Sequence, residues 1–227
     1  MSEAELRPYD LTAALASDRG DNCLVIDVGG DNKPSVKRVA DTVEHNLIHA
    51  SSKVFAATKL YVIGSWDDAG DDEAEKWNAA TRKISELLDE MLNLQEVTWI
   101  SSLPFTAALW KKLPTTLEKL VLDLGQPVRL TRLYGGDLSK SWITTSEMKP
   151  LQYMTNLQEL RLLRMHDSFQ AVVWDTVYRN TSTKGMRVVE LQMAWAPIVR
   201  GRDHWIKAQN VSGLDVPVEE CVEEKYK

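Results

Sequence analysis

Apolar residues recur along this chain in one short frame, L-x-x-L-x-L, and leucine alone fills it in two places. "LEKLVL" puts leucines at 117, 120 and 122, and "LQELRL" puts them at 157, 160 and 162. Two further stretches fill the frame with other apolar residues: "LQEVTW" with Leu94, Val97 and Trp99, and "VVELQM" with Val188, Leu191 and Met193. Two looser ones lie upstream, "CLVIDV" with Cys23, Ile26 and Val28, and "ATKLYV" with Ala57, Leu60 and Val62. Each ends in a period-2 alternation, the signature of a strand whose successive side chains point to opposite faces. The frames start at residues 23, 57, 94, 117, 157 and 188, so successive starts are 34, 37, 23, 40 and 31 residues apart.

Between the frames the period changes to that of a helix. "SVKRVADTVEHNLIHA" carries Val36, Val39, Val43 and Leu47 near one face, with Ser35 placed as N-cap. "DDEAEKWNAATRKISELLDEML" opens with acids, which suit a helix N-terminus, and repeats Trp77, Ile84, Leu87, Leu88 and Met91 at three- and four-residue steps. "FTAALWKKL" predicts a short helix between Pro104 and Pro114, and "SEMKPLQYM" predicts one or two turns broken by Pro150. "DSFQAVVWDTVYRN" is striped by Phe169, Val172, Val173, Thr176 and Val177, with Asp167 or Ser168 as cap. Strand and helix alternate throughout, which predicts an α/β protein with parallel strands joined by right-handed crossovers.

Two architectures share that alternation. A doubly wound sheet has helices on both faces and continuous apolar strands, whereas a solenoid has helices on one face and strands that alternate between core and solvent. The positions between the frame residues are Lys59 and Tyr61, Glu96 and Thr98, Lys119 and Val121, Glu159 and Arg161, and Glu190 and Gln192. Burying so many unpaired charges would cost several kcal/mol each, so one face of the sheet is expected to meet water. The expected fold is a leucine-rich-repeat-like right-handed solenoid, with about six parallel strands on one face and helices on the other. The repeat spacing is longer and less regular than the roughly 20–29 residues of a standard leucine-rich repeat. One domain over residues 1–227 is expected, with 1–20 as candidate N-terminal cap and 196–227 as candidate C-terminal cap or tail.

"TLEKLVLDL", "NLQELRLL" and "MRVVELQMAWAPIV" resemble the irregular leucine-rich-repeat segments of fungal F-box/LRR-like proteins, over about residues 20–200. The resemblance implies a protein-binding solenoid and, in a longer chain, an F-box that docks a ubiquitin-ligase adaptor. The Leu-Pro pair of "SLPFTAALW" sits between repeats, and no F-box-like helix start precedes the first repeat. The Asn that closes a repeat strand in the family is absent from "LVLDLG" and "LRLLRM", so the loops after the strands need another closure.

Charge and composition narrow the partner. A formal net charge of −6 weighs against nucleic acid or an anionic membrane. With 44 % hydrophobic and 26 % charged residues the chain can bury a core. Two cysteines, Cys23 and Cys221, suit a reducing intracellular compartment, cytoplasmic or nuclear. The N-terminus carries no apolar signal core, and no apolar run is long enough to span a membrane.

Candidate chemistry is sparse. "VIDVGGDNKP" joins a strand to Asp27-x-Gly29-Gly30, a glycine turn of the kind that brings backbone N–H groups to phosphate. An enzyme on a doubly wound sheet would use this loop, but a second glycine-rich motif in similar context is missing. His45 and His49 stand at metal-ligand spacing, yet Asn46 replaces the acid of a zinc-protease motif and no third ligand is evident. The pairs His166–Asp167 and Asp203–His204, and the acids Asp67, Asp68, Asp71 and Asp72, match no complete catalytic or calcium pattern. Of eight tryptophans, 77, 99, 110 and 174 suit a core, whereas 66, 142, 195 and 205 suit repeat edges or a partner surface.

No catalytic residue, metal or cofactor is therefore expected. The reading is a non-catalytic scaffold that binds a protein through its strand face, at Lys59, Tyr61, Glu96, Thr98, Lys119, Asp123, Glu159, Arg161, Glu190 and Gln192. The mixed signs of these residues predict a polar, charge-matched partner.

Overall fold

The computed structural model describes residues 8–18, 20, 22–30, 33–66, 72–125, 143–181, 185–194, 205–207 and 215–217. Two compact units divide the chain, residues 1–194 and 195–227. The first is α/β and holds a six-stranded, wholly parallel sheet. Its strands are β1 (Cys23–Asp27), β2 (Lys59–Gly64), β3 (Glu96–Ser101), β4 (Lys119–Asp123), β5 (Glu159–Met165) and β6 (Val188–Met193), in sequence order across the sheet. The second unit contains an antiparallel pair, β7 (Trp205–Lys207) and β8 (Asp215–Pro217).

Register turns the apolar frame into two rows. Leu24, Leu60, Val97, Leu120, Leu160 and Val189 align in one, and Ile26, Val62, Trp99, Leu122, Leu162 and Leu191 in the other. The frames of the four central strands are the ones read from sequence. Those of β1 and β6 slide by two residues, so that β6 aligns through "MRVVEL" and β1 through Leu24 and Ile26. A two-residue slide keeps every side chain on its face, so alternation alone leaves the register undetermined.

Backbone hydrogen bonds set it. The Asn22 carbonyl accepts from the Thr58 and Lys59 N–H groups at 2.9 and 3.1 Å. The Thr58 carbonyl does the same for Gln95 and Glu96, Gln95 for Glu118 and Lys119, Glu118 for Gln158 and Glu159, and Gln158 for Arg187 and Val188. A carbonyl shared by two N–H groups thus starts each of β2 to β6, at the same point of the frame.

The connecting helices are α2 (Ser35–His49), α3 (Ser51–Ala56), α4 (Glu73–Glu90), α5 (Ala107–Trp110), α6 (Thr145–Met148) and α7 (Gln170–Thr181), with 3-10 turns at Lys149–Tyr153 and Asp167–Phe169. Their apolar stripes form one core with the two leucine rows: Val39 and Val43, Ile84 and Leu87, Leu109 and Trp110, Leu151, Phe169 and Val173 all join it. Phe105 meets Trp99 and Trp110 edge-to-face at centroid distances of 5.4 and 4.9 Å, and the Trp99 indole N–H donates to the Leu103 carbonyl at 2.7 Å. That bond gives a buried aromatic its polar partner.

Local details differ from expectation. Ser35 is the first helical residue and is buried; Pro34 takes the cap position without a side-chain hydrogen bond. The helix predicted over "FTAALWKKL" is only α5. His166 caps the turn before α7, its Nδ1 accepting from the Ser168 N–H, in place of Asp167 or Ser168. Trp174, placed in the core by its helical position, is 45 % exposed, because the α7 stripe from Phe169 to Val177 already fills the inward face. An additional helix, α1 (Leu11–Asp18), lies within the segment read as a cap, its start held by Asp10, whose carboxylate accepts from the Ala13 N–H at 3.0 Å.

Candidate functional site: the polar face of the sheet

All ten residues named from sequence stand on the face opposite the leucine rows. Lys59, Glu96, Lys119 and Glu159 align across β2 to β5. Two residues on, Tyr61, Thr98, Val121, Arg161 and Glu190 align across β2 to β6. Asp123 and Gln192 follow at the same parity near the strand ends.

The charges alternate in sign from strand to strand and neutralise one another. Lys59 Nζ lies 3.3 Å from Glu96, Lys119 Nζ 3.9 Å from Glu96 and 3.7 Å from Glu159, and Arg161 Nε 2.6 Å from Glu159. Arg161 also pairs with Glu190, whose second carboxylate oxygen accepts from the Gln192 amide at 2.6 Å. Arg161–Glu159 lies within β5; the others are cross-strand opposite-charge pairs, which contribute about 0.2–1 kcal/mol apiece.

The expectation that this face meets water is corrected. Tyr61 and Thr98 are each 2 % exposed and Val121 is fully buried. The N-terminal segment lies over the sheet. Tyr9 donates its backbone N–H to Glu190 at 3.1 Å, its hydroxyl is 3.3 Å from that of Thr98, and its ring lies beneath the Lys119 ammonium and the Arg161 guanidinium at 5.5 and 5.3 Å. At the far end of α1, Asp18 accepts from Lys59 at 2.8 Å and from the Tyr61 hydroxyl at 2.6 Å. Each of these charges, taken singly, would be costly to cover. Paired as a ladder, they can be half-covered around an apolar centre at Val121 without leaving any of them alone.

Titration follows the contacts. Burial pushes the Asp18 carboxyl up, but hydrogen bonds from Lys59 and Tyr61 and the Lys59 charge outweigh it and hold the group below its ordinary value. Glu190 is lowered in the same sense, its burial overcome by Gln192, Arg161 and the Tyr9 N–H. Lys59 and Arg161 are raised despite burial by the carboxylates beside them. The Tyr61 hydroxyl is raised strongly, first by burial and then by its bond to Asp18.

A groove of about 380 Å³ remains beside α1 where the strands begin. Ala14, Ser17 and Asp18 form one wall, and Glu118, Gln158 and Arg187 lie among the residues opposite.

The strand ends are closed by their own side chains. At four of them a side chain accepts from the N–H two residues on: Asp27 from Gly29, Ser101 from Leu103, Asp123 from Gly125, and His166 from Ser168. Two are backed by arginine. Arg38 donates to the Asp27 and Gly30 carbonyls at 2.8 Å, and Arg164 makes a two-pronged pair with Asp123 at 2.7 Å. The glycine turn read as a phosphate candidate thus commits its Gly29 N–H to Asp27. Arg164 has φ +52° at the irregularity of β5, and its guanidinium fills the space where Gly125 would carry a Cβ.

His45 and His49 are both exposed, with ring centroids 5.3 Å apart, and no cluster of three or more metal-type ligands occurs among the described residues. Cys23 is buried, and burial raises its thiol. Trp99 and Trp110 are buried, Trp66 and Trp77 half-buried. Asp67, Asp68, Asp71, Trp142, Trp195, the Asp203–His204 pair and Cys221 lie outside the described residues, as does the Trp205 side chain. No described helix is long and apolar enough to cross a membrane.

Sequence reasoning missed Tyr9 and Asp18. A signal for the helix existed in "YDLTAALASD", an Asp N-cap before an alanine-rich run. Nothing in its period said which surface it would cover.

Fold and site together define an α/β protein whose six-stranded parallel sheet buries one leucine face and carries on the other a self-neutralised charge ladder half-covered by the N-terminal segment. Comparison with protein-family models, with curated proteins and with solved structures finds no match.

Proposed function

We propose that this chain is a non-catalytic interaction module, a short leucine-rich-repeat-like solenoid that binds a protein on its polar strand face. Support for the solenoid lies in the reiterated unit: one frame, a shared backbone acceptor at the start of each of β2 to β6, and strands in sequence order. The observation that carries the function is that this face already holds a helical segment. Its cations clasp an aromatic ring, and its lysine–tyrosine pair holds a carboxylate. Such a surface offers polar recognition over a half-buried centre, which suits a peptide or helix more than a small apolar ligand.

The test is affinity capture with three forms of the full chain. Partners recovered by the native protein should be lost with Glu159→Lys/Arg161→Glu and kept with Phe55→Glu, which changes an exposed residue of α3 on the helical side. Equal capture by all three forms would reject the strand face as the binding surface.

A further inference from the structure

The N-terminal segment makes two anchored contacts with the polar face. Tyr9 is held by β3 to β6, through Thr98, Lys119, Arg161 and Glu190. Asp18 is held by β2, through Lys59 and Tyr61. The nine residue steps between them match the distance to be crossed. Strands about 4.8 Å apart place β2 roughly 12 Å from the midpoint of β4 and β5, and eight helical residues at about 1.5 Å each also give roughly 12 Å.

Between the anchors one face of α1, with Leu11, Ala14 and Leu15, is half-buried. No residue of α1 is fully buried, and its sequence has little apolar asymmetry. A groove remains open along one side of it. A helix that covered this face only to complete a core would bury its leucines fully, whereas Leu11 and Leu15 are only half-buried. This one touches down through groups that a different helix could supply equally well.

We propose that the segment is a resident mimic of the partner, and that in trans the face takes a helical peptide carrying an aromatic residue nine positions ahead of a carboxylate. The proposal rests on the strand face being the binding surface, and it adds the chemistry of what binds. The aromatic ring enters between Lys119 and Arg161, where a π face gains from both cations. The carboxylate displaces Asp18 from Lys59 and the Tyr61 hydroxyl. Tethering gives the resident segment an effective concentration on the order of millimolar, so it suppresses weak binders and yields to strong ones.

The experiment uses the full chain and a fluorescently labelled peptide of residues 8–18. Tyr9→Ala/Asp18→Asn should vacate both anchors and bind the peptide at least about tenfold more tightly than the wild type, read by anisotropy. Adding Lys59→Ala or Arg161→Ala to that variant should remove the gain, and a peptide with the same two substitutions should not bind. Wild-type protein provides a second measurement that needs no variant: excess peptide should speed hydrogen exchange of the α1 amides. A folded double variant that binds no better than wild type, or α1 exchange unchanged by peptide, overturns the proposal. If partner capture is nonetheless lost with Glu159→Lys/Arg161→Glu, the strand-face reading stands and only the mimicry fails.

Discussion

Gly64 shows how a single residue fixes a strand end. Its φ is +97°, and a Cβ there would lie 2.3 Å from the Asp27 carboxylate oxygen that accepts the Gly29 N–H. Alanine would meet both a left-handed backbone and an oxygen that cannot retreat without losing its own bond. Gly64→Ala should therefore lower stability by about 2–3 kcal/mol in urea denaturation. Gly185 supplies the comparison, at φ +81° with open space within 4 Å of where an alanine methyl would stand. Gly185→Ala should cost only about 1 kcal/mol, the left-handed backbone alone. Trp99 makes a different residue-scale case. Phenylalanine there keeps a ring against Phe105 but strands the Leu103 carbonyl, so Trp99→Phe should cost about 1–3 kcal/mol by the same measurement. Glycine and tryptophan were visible in the sequence. The carboxylate and the carbonyl they answer to were not, because the pairing is made only when the chain folds.

At the scale of elements, the ladder and α1 share one electrostatic logic. Lys119 lies between Glu96 and Glu159, so Lys119→Glu would set three carboxylates side by side. The variant should lose about 1 kcal/mol in dilute buffer, and somewhat less at high salt, because these partly exposed charges are partly screened. Acid should weaken the same region. Asp18 and Glu190 hold their protons less readily in the folded chain than in the unfolded one, so the unfolded chain binds more protons as pH falls. Their stabilisation is complete above about pH 4–5 and is lost as pH drops through the lowered folded values. Lys59 has the opposite sign: its contribution is complete below about pH 10 and is lost as pH rises through its raised folded value. A thermal-melt series from neutral to acid pH should show the acid limb flattened in Asp18→Asn. If the limb is unchanged, the Asp18 contact contributes nothing to stability.

For the whole molecule, the sheet and its two unlike faces were legible because a strand's period of two writes burial directly into sequence. Lys59, Glu96, Lys119 and Glu159 alternate with leucine-type residues, and no fold can hide both sets in one core. The six strands, the α/β class and the helical stripes of α2, α4 and α7 followed from that local rule. The two-residue slide of the end frames did not, since it leaves every face unchanged and is settled only by carbonyls such as Asn22 and Gln158 bonding across strands. The covering of the polar face was equally beyond local reading. Tyr9 lies 89 residues from Thr98 and 181 from Glu190, so the chain between had to fold before those groups could meet. The sequence by itself determined which side chains turn inward and which outward, because that depends on neighbours one and two residues away. Only the tertiary structure decided what the outward set would face, because charge pairing and coverage depend on groups brought together across the sheet.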